Sequence, residues 1–205
     1  SLAKDSEVEK IEAFKQGVRI NPDHAIAHYG LGLVYHDSGK YEEAIEAYKQ
    51  AIRINPDYAE AHTHLGTAYL NSGKYEESIE AYKQAIRINP DDAEAHFSLG
   101  VAYATSDMYK EAIESYKQAI RINPDYADAH YNLGVAYYKL VMDKEAIEAF
   151  KQIIRIKPDY ADAHYNLGIA YNSLNDRGSA LEQYKILKSL DSELANKLFN
   201  EIYKE

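Results

Sequence analysis

The chain has 205 residues, 46% hydrophobic and 27% charged, which is ordinary for a folded soluble protein, and its net charge of −10 argues against nucleic acid as a partner. It holds no cysteine, which excludes disulfides, thiolate metal sites and cysteine nucleophiles. It contains no secretory segment and no apolar run long enough to span a bilayer, so we expect a cytoplasmic protein without direct membrane insertion.

The chain opens with a predicted helix over residues 1–20, because Val8, Ile11, Phe14 and Val18 recur at helical spacing. This segment matches the second half of the repeat that follows it. We therefore expect residues 1–24 to form a half repeat that contributes a second helix only.

A repeat then dominates the sequence. The segment Tyr-Lys-Gln-Ala-Ile-Arg-Ile-Asn-Pro-Asp begins at residues 48, 82 and 116, with looser copies at 14 and 150, so its proline recurs every 34 residues. A fixed period of this size is typical of stacked helical repeats. Each repeat reads as a helix, a short turn, a second helix and an Asn-Pro stop. We predict an all-α solenoid in one continuous domain, with full repeats at 25–58, 59–92, 93–126, 127–160 and 161–194.

The connections carry two further predictions. The aspartate after each proline suits the start of the next helix, so we expect it to cap that helix: Asp57, Asp91, Asp125 and Asp159. Gly39 and Gly73 suit a left-handed turn between the two helices of a repeat, whereas Val141 stands where that glycine is expected. Because a β-branched residue disfavours this conformation, we expect the turn at 140–143 to be reshaped and to expose apolar side chains.

A last helix is predicted over residues 192–205, where Leu194, Leu198 and Ile202 recur at a spacing of four, with Asp191 or Ser192 as its cap. A solenoid needs such a terminal helix to close its core. Within the repeats, small residues are expected where two helices approach closely, and large residues are expected to face them. The small columns are Gly32, Gly66, Gly100, Gly134 and Gly168 on first helices and Ala44, Ser78, Ala112, Ala146 and Ala180 on second helices. The large columns are Leu31, Leu65, Leu99, Leu133 and Leu167, then Tyr35, Tyr69, Tyr103, Tyr137 and Tyr171, and on second helices Tyr48, Tyr82, Tyr116, Phe150 and Tyr184.

These columns together resemble the tetratricopeptide repeat family over nearly the whole chain. In the second repeat the resemblance is carried by Leu65, Gly66, Tyr69, Gly73, Tyr75, Ser78, Tyr82, Ala85 and Pro90. The run Ala-His-Tyr-Asn-Leu-Gly, at 129–134 and again at 163–168, is similar to arrays in bacterial and archaeal scaffold proteins and in the O-linked N-acetylglucosamine transferase. The resemblance implies antiparallel helix pairs stacked into a right-handed superhelix, with first helices lining its concave face.

Catalytic and metal chemistry find no support in the sequence. Five histidines form one column, and successive members lie one repeat apart. Stacked helices are about 8–10 Å apart, whereas zinc ligands lie about 2 Å from the ion, so one ion cannot easily reach two of these histidines. We therefore interpret the column as packing: His28, His62, His96, His130 and His164. The carboxylates recur as solvated helix faces rather than as one desolvated pair. We predict no enzyme activity, no metal and no cofactor.

First-helix positions that packing does not use vary between repeats, and we predict that they line a peptide-binding groove. Asn132 and Asn166 match positions where family members hold a peptide backbone with amides, which both donate and accept hydrogen bonds. Aromatic rings add apolar contact at a low entropy cost. The predicted groove residues are Tyr29, Thr63, His64, Phe97, Ser98, Tyr131, Asn132, Tyr138, Tyr165, Asn166 and Asn172.

The charge of this groove limits the kind of partner that it can bind. Some family members clamp a partner's terminal carboxylate with cations. The matching positions here carry no cation, so we predict no acidic tail as partner: they are Ile26, Glu60, Glu94, Asp128 and Asp162. An acidic, aromatic groove favours a basic or amphipathic protein segment. We predict a protein–protein interaction scaffold. Two alternatives stay open: a self-assembling unit that forms homo-oligomers through helix ends such as the N-terminal half repeat, and the repeat region of a larger enzyme such as a glycosyltransferase.

Overall fold

The computed structural model describes the backbone of residues 2–204 and the side chains of residues 8–204, so the predicted helix ends at residues 1 and 205 lie outside it. All regular structure in this part of the chain is helical, and none of these helices is long and apolar enough to cross a membrane. The helices are α1 Leu2–Ile20, α2 Ala25–Asp37, α3 Tyr41–Ile54, α4 Ala59–Asn71, α5 Tyr75–Ile88, α6 Ala93–Thr105, α7 Tyr109–Ile122, α8 Ala127–Lys139, α9 Asp143–Ile156, α10 Ala161–Ser173, α11 Arg177–Leu190 and α12 Ser192–Ile202.

The chain divides into two compact units, the first ending at Ser106 and the second beginning at Asp107. In unit 1 the closest partners are α2 with α3 and α4 with α5, and in unit 2 they are α8 with α9 and α10 with α11. Each such pair also packs on the next pair of its unit. The predicted all-α class with stacked antiparallel pairs is confirmed. The repeat boundaries and the single continuous domain stay predictions.

Small residues let the two helices of a repeat approach closely. A Cβ at Gly66 would lie 2.8 Å from the Tyr82 ring, and one at Gly134 would lie 2.6 Å from the Phe150 ring, closer than real Cβ contacts allow. The last repeat differs from the predicted column, because Gly168 is approached by Leu198 of α12 rather than by Tyr184. The terminal helix therefore supplies the large residue at this end of unit 2, where it forms a buried cluster with α11.

The turn at Val141 is not reshaped, and the prediction for it was wrong. Val141 adopts a φ of 59°, the same left-handed region as Gly73 at 77°. The amide of Met142 donates to the Tyr137 carbonyl at 2.9 Å, as the amide of Lys74 does to the Tyr69 carbonyl at 2.9 Å. These bonds hold the turn against the steric cost of the valine, which is about 1–3 kcal/mol. The expected apolar exposure is confirmed, since Val141 is 81% exposed.

Helix capping also differs from the prediction. The residue at the N-cap is not the aspartate after the proline but the one that follows it, for example Tyr58 rather than Asp57. Among the described first helices, only α6 has a side-chain cap: Asp92 accepts from the amides of Glu94 and Ala95 at 3.0 and 3.1 Å. The aspartates expected to cap, Asp57, Asp91, Asp125 and Asp159, lie one residue too early for that geometry. Of the two residues predicted to cap α12, Asp191 is the one that does so, accepting from the amides of Glu193 and Leu194.

Candidate functional site

The predicted groove residues all lie on first helices, and the two units carry different sets of them. Unit 1 holds five of them: Tyr29 on α2, Thr63 and His64 on α4, and Phe97 and Ser98 on α6. Unit 2 holds six of them: Tyr131, Asn132 and Tyr138 on α8, and Tyr165, Asn166 and Asn172 on α10. Tyr138 is exposed and the others are half-buried. We call these two sets the first-helix face of unit 1 and the first-helix face of unit 2.

In unit 1, Tyr29 is the centre of an aromatic group. Its ring centroid lies 5.0 Å from that of Tyr58 and 5.4 Å from that of His64, and the His64 contact is edge-on at 85°. The Tyr29 hydroxyl lies 3.3 Å from Nδ1 of His64, and the same Nδ1 lies 2.9 Å from the Glu60 carbonyl. Because a carbonyl only accepts, Nδ1 carries the proton and the Tyr29 hydroxyl can accept from it.

Unit 2 repeats this arrangement with an amide in place of the imidazole. The ring of Tyr131 lies 5.3 Å from that of Tyr160, and Asn166 Nδ2 donates to the Tyr131 hydroxyl at 3.0 Å. Asn132 Nδ2 donates to the Asp128 carbonyl at 3.0 Å. Both amide groups therefore use a donor inside the chain, which leaves their carbonyl oxygens as acceptors without a hydrogen bond to any described residue.

The remaining predicted residues are not brought into these aromatic groups. Thr63 turns back on its own helix and donates to the Ala59 carbonyl at 3.2 Å. Ser98 lies within hydrogen-bonding reach of the buried Tyr82 hydroxyl. Tyr165 packs against the cluster that α12 completes, and Asn172 Nδ2 donates to the Glu201 carbonyl of that helix at 3.1 Å. Tyr165 and Asn172 therefore serve the closure of unit 2 as well as its first-helix face.

Carboxylates set the electrostatics of both faces. Burial raises the pKa of Tyr29, and the neighbouring Tyr58 and Glu60 raise it further. In unit 2, burial raises the pKa of Tyr131 and the carboxylate of Asp162 adds to the effect. The phenols therefore stay neutral at ordinary pH, and each face presents hydroxyl groups and aromatic rings beside exposed negative charge.

Tyr58 and Tyr160 are site residues that the sequence analysis missed. Each is the N-cap of a first helix, and each packs against the aromatic residue 29 positions before it, with tilted rings for Tyr58 and an edge contact for Tyr160. The sequence holds a signal for this contact, because the residue 29 positions before each N-cap differs in type. Tyr58 and Tyr160 follow aromatic residues at that distance, whereas Asp92 follows Thr63 and makes a capping hydrogen bond instead. The N-cap position therefore carries an aromatic contact at Tyr58 and Tyr160 and a capping hydrogen bond at Asp92.

The histidine column has a structural task. In each repeat the Nε2 atom lies 2.8–3.0 Å from a proline carbonyl six residues earlier, which ties the inter-repeat loop to the next first helix. His164 is nearly buried and also lies 2.8 Å through Nδ1 from Gln183 Oε1. Among the residues that the structure describes, no group of three or more histidines and carboxylates could hold a metal ion.

The chain belongs to the tetratricopeptide repeat family. A family model described as a TPR repeat matches residues 32–73, 68–107, 108–141 and 143–175, and a model described as a tetratricopeptide repeat matches residues 13–46. These motifs are protein-interaction repeats, and the matched segments include all residues of both first-helix faces.

Several solved structures are similar to this chain. A crystal structure of MamA is 31% identical, with a TM-score of 0.76, covering 81% of this chain and 97% of that chain. MamA of Desulfovibrio magneticus RS-1, from residue 41 to its end, is 22% identical, with a TM-score of 0.77, covering 82% and 96%. YrrB, described as a TPR protein with an unusual peptide-binding site, is 23% identical, with a TM-score of 0.80, covering 93% and 99%. The last two show a shared fold alone. A comparison with curated protein sequences gave no match.

Proposed function

We propose that this chain is a non-catalytic protein–protein interaction scaffold that binds a peptide or helical segment of a partner along its first-helix faces. The observation that carries the proposal is the contrast within each first helix. The columns that face the neighbouring helices are buried small and aliphatic residues, whereas the aromatic and amide columns beside them stay partly open to solvent. The residues at these open positions differ between repeats, so packing alone does not dictate them, and a bound segment would use both the aromatic and the amide groups.

The chemistry of unit 2 fits an extended or helical segment. One N–H of Asn132 is held by the Asp128 carbonyl and one N–H of Asn166 by the Tyr131 hydroxyl, and the carbonyl oxygens of both amides can accept backbone or side-chain N–H groups. Those internal bonds also hold the amides in place before binding, which lowers the entropy cost of recognition. The Tyr131 ring adds apolar contact.

Charge favours a basic or amphipathic partner. Glu60 and Glu94 in unit 1, and Asp128 and Asp162 in unit 2, are exposed near the start of their first helices. The chain as a whole carries a net charge of −10. A segment with positive groups would therefore be attracted to both faces, and an acidic tail would be repelled.

The test uses peptides selected from a random-sequence display library on the immobilised chain, followed by titration. In a variant that combines Tyr131→Ala, Asn132→Ala and Asn166→Ala, we expect the selected peptides to bind at least about tenfold more weakly, because one aromatic anchor and two acceptors are lost. The matched control combines Glu114→Ala, Glu148→Ala and Lys151→Ala on exposed second-helix positions. Equal affinity for wild type and the first variant would reject the first-helix face as the binding site.

A check on folding accompanies this test, since Tyr131 packs on Phe150 and Tyr160. The double variant Asn132→Ala, Asn166→Ala leaves that packing in place. It should keep the thermal midpoint within a few degrees of wild type and still weaken binding.

A second candidate function is self-assembly through the N-terminal end. Val8 and Ile20 on α1 and Ile26 on α2 are 64%, 79% and 63% exposed, so three aliphatic side chains near this end of the chain are open to solvent. We propose that they can be covered by another copy of the chain. Sedimentation at rising protein concentration tests this, with Ile20→Lys as the disrupting variant. A strict monomer at high concentration would reject the candidate.

A further inference from the structure

One lysine in unit 2 occupies a place that holds asparagine in the four earlier copies of the repeat. Lys157 precedes its proline, where those earlier copies have Asn21, Asn55, Asn89 and Asn123. Its Nζ atom lies 5.9 Å from the ring centroid of Tyr160 and 4.0 Å from Asp128 Oδ1. The chain thus places its own ammonium group against the N-cap tyrosine of a first helix. This arrangement combines attraction to the ring face with attraction to a carboxylate.

The same aromatic pair exists in unit 1 without a cation of the chain at the matching position. Tyr58 corresponds to Tyr160, and its ring centroid lies 5.0 Å from that of Tyr29. Asn55 stands where Lys157 stands, and it is neutral. Glu60 corresponds to Asp162 and is exposed beside the pair, close enough to raise the pKa of both Tyr29 and Tyr58.

The surroundings in unit 1 suit a long aliphatic cation. Ile26 takes the place that Asp128 has in unit 2, and its side chain is 63% exposed. The methylene stem of a lysine can cover such an apolar surface while its ammonium group stays near a carboxylate and water. Tyr58 and Tyr29 are both half-buried, so part of each ring is open to solvent.

We propose that Tyr29, Tyr58 and Glu60 form a subsite for a lysine side chain of the bound protein segment. It takes from a partner the group that Lys157 supplies internally in unit 2. This inference rests on the proposed function and names the chemistry of the partner at one point of the face. It also distinguishes the two aromatic pairs. The pair in unit 1 would bind a lysine of the partner, whereas the pair in unit 2 already contacts Lys157 of the chain itself.

The probe is a capped peptide of alternating leucine and lysine, titrated at physiological salt by calorimetry. Its counterpart carries N-acetyl-lysine, which has a similar length and no charge. We expect Tyr58→Leu and Glu60→Gln each to weaken binding of the lysine peptide by about fivefold, and to leave binding of the acetylated peptide unchanged. Glu60→Gln changes an exposed side chain, so it keeps the test valid if Tyr58→Leu disturbs folding.

Two control variants separate this subsite from general charge attraction. Glu94→Gln removes the same charge from the matching position of the next repeat, where the column residue is Thr63 rather than an aromatic residue, and should change the affinity less than about twofold. Lys157→Asn should open the pair in unit 2, so that ring resonances of Tyr160 move on addition of the lysine peptide in this variant and stay fixed in wild type.

Equal affinity of wild type and Glu60→Gln for the lysine peptide would overturn the subsite. The proposed function has its own test and would stand even then, provided that the variant with Tyr131→Ala, Asn132→Ala and Asn166→Ala bound the library-selected peptides more weakly than wild type does. Loss of lysine-peptide binding in Glu94→Gln as large as in Glu60→Gln would also overturn the subsite, because it would show that charge alone is responsible.

Discussion

The substitution Tyr48→Phe should stabilise this protein, although it removes a polar group and adds no contact. Tyr48 is fully buried, and its hydroxyl has no hydrogen-bond partner among the described residues. The equivalent hydroxyl of Tyr82 bonds to Thr67 Oγ1 at 2.9 Å. The position that matches Thr67 near Tyr48 is Leu33, which offers neither a donor nor an acceptor.

The expected size follows from the cost of burying a hydroxyl without a partner, which is about 1–3 kcal/mol. Removing the hydroxyl of Tyr48 recovers most of this cost, less a small loss of packing, so the free energy of unfolding should rise by about 1–2 kcal/mol. Tyr82→Phe should instead lower it by about 1 kcal/mol, because a satisfied hydrogen bond is lost. One repeat of unit 2 already has phenylalanine here, since Phe150 matches Tyr48 and the apolar Val135 matches Leu33.

The assay is urea unfolding at 25 °C followed by circular dichroism at 222 nm, with thermal unfolding as a second measure. For a chain of this length, a change of 1 kcal/mol moves the thermal midpoint by about 2–4 °C. Tyr48→Phe and Tyr82→Phe are chemically identical changes in neighbouring repeats, so the contrast between them isolates the hydrogen bond. If both variants lost stability to the same extent, the Tyr48 hydroxyl would have a partner and the reasoning would be wrong.

Three further predictions concern turns, caps and pH. Val141→Gly should raise the free energy of unfolding by about 1 kcal/mol by removing the strain of a valine at positive φ, and Gly73→Val should lower it by about 1–3 kcal/mol in urea unfolding. Asp92→Ala should cost about 1 kcal/mol because a cap is lost, whereas Asp57→Ala should change stability by less than about 0.5 kcal/mol, and equal losses would contradict the assigned caps. Burial raises the pKa of the Tyr48 and Tyr116 phenols, so the folded state keeps their protons at a pH where the unfolded state loses them. The free energy of unfolding should therefore fall as pH rises above about 10, and it should fall less when both tyrosines are replaced by Phe. Helicity measured between about pH 8 and pH 12 checks this.

Much of the fold could be predicted because it depends on spacing within one repeat. The proline period, the helical recurrence of apolar residues and the small column from Gly32 to Gly134 are local properties of the chain. They specify helices of about the right length and the residue pairs that must touch inside a repeat. The cap of α12 at Asp191 was predicted for the same reason, since a capping bond joins residues two or three positions apart.

The errors arose where a local preference competed with a bond made elsewhere. Val141 disfavours a left-handed turn by itself, yet the carbonyls of Tyr137 and Tyr138 hold that turn in place. Asp57 is a good capping residue by type, but α4 begins one residue later than capping by Asp57 would require, with Tyr58 at the N-cap, where it packs on Tyr29. Single-residue preferences contain neither the backbone hydrogen bonds of the first case nor the helix register of the second.

The amino-acid sequence by itself determined the class of protein, the helix pattern and which helices carry the variable aromatic and amide positions. The tertiary structure alone decided which of those positions meet: Tyr29 with Tyr58 and His64, and Tyr131 with Tyr160 and Asn166. The physical reason is distance along the chain. These partners are 29 or 35 residues apart, so their contact depends on how one helical pair stacks on the next, and that stacking is set by the packed side chains between the pairs.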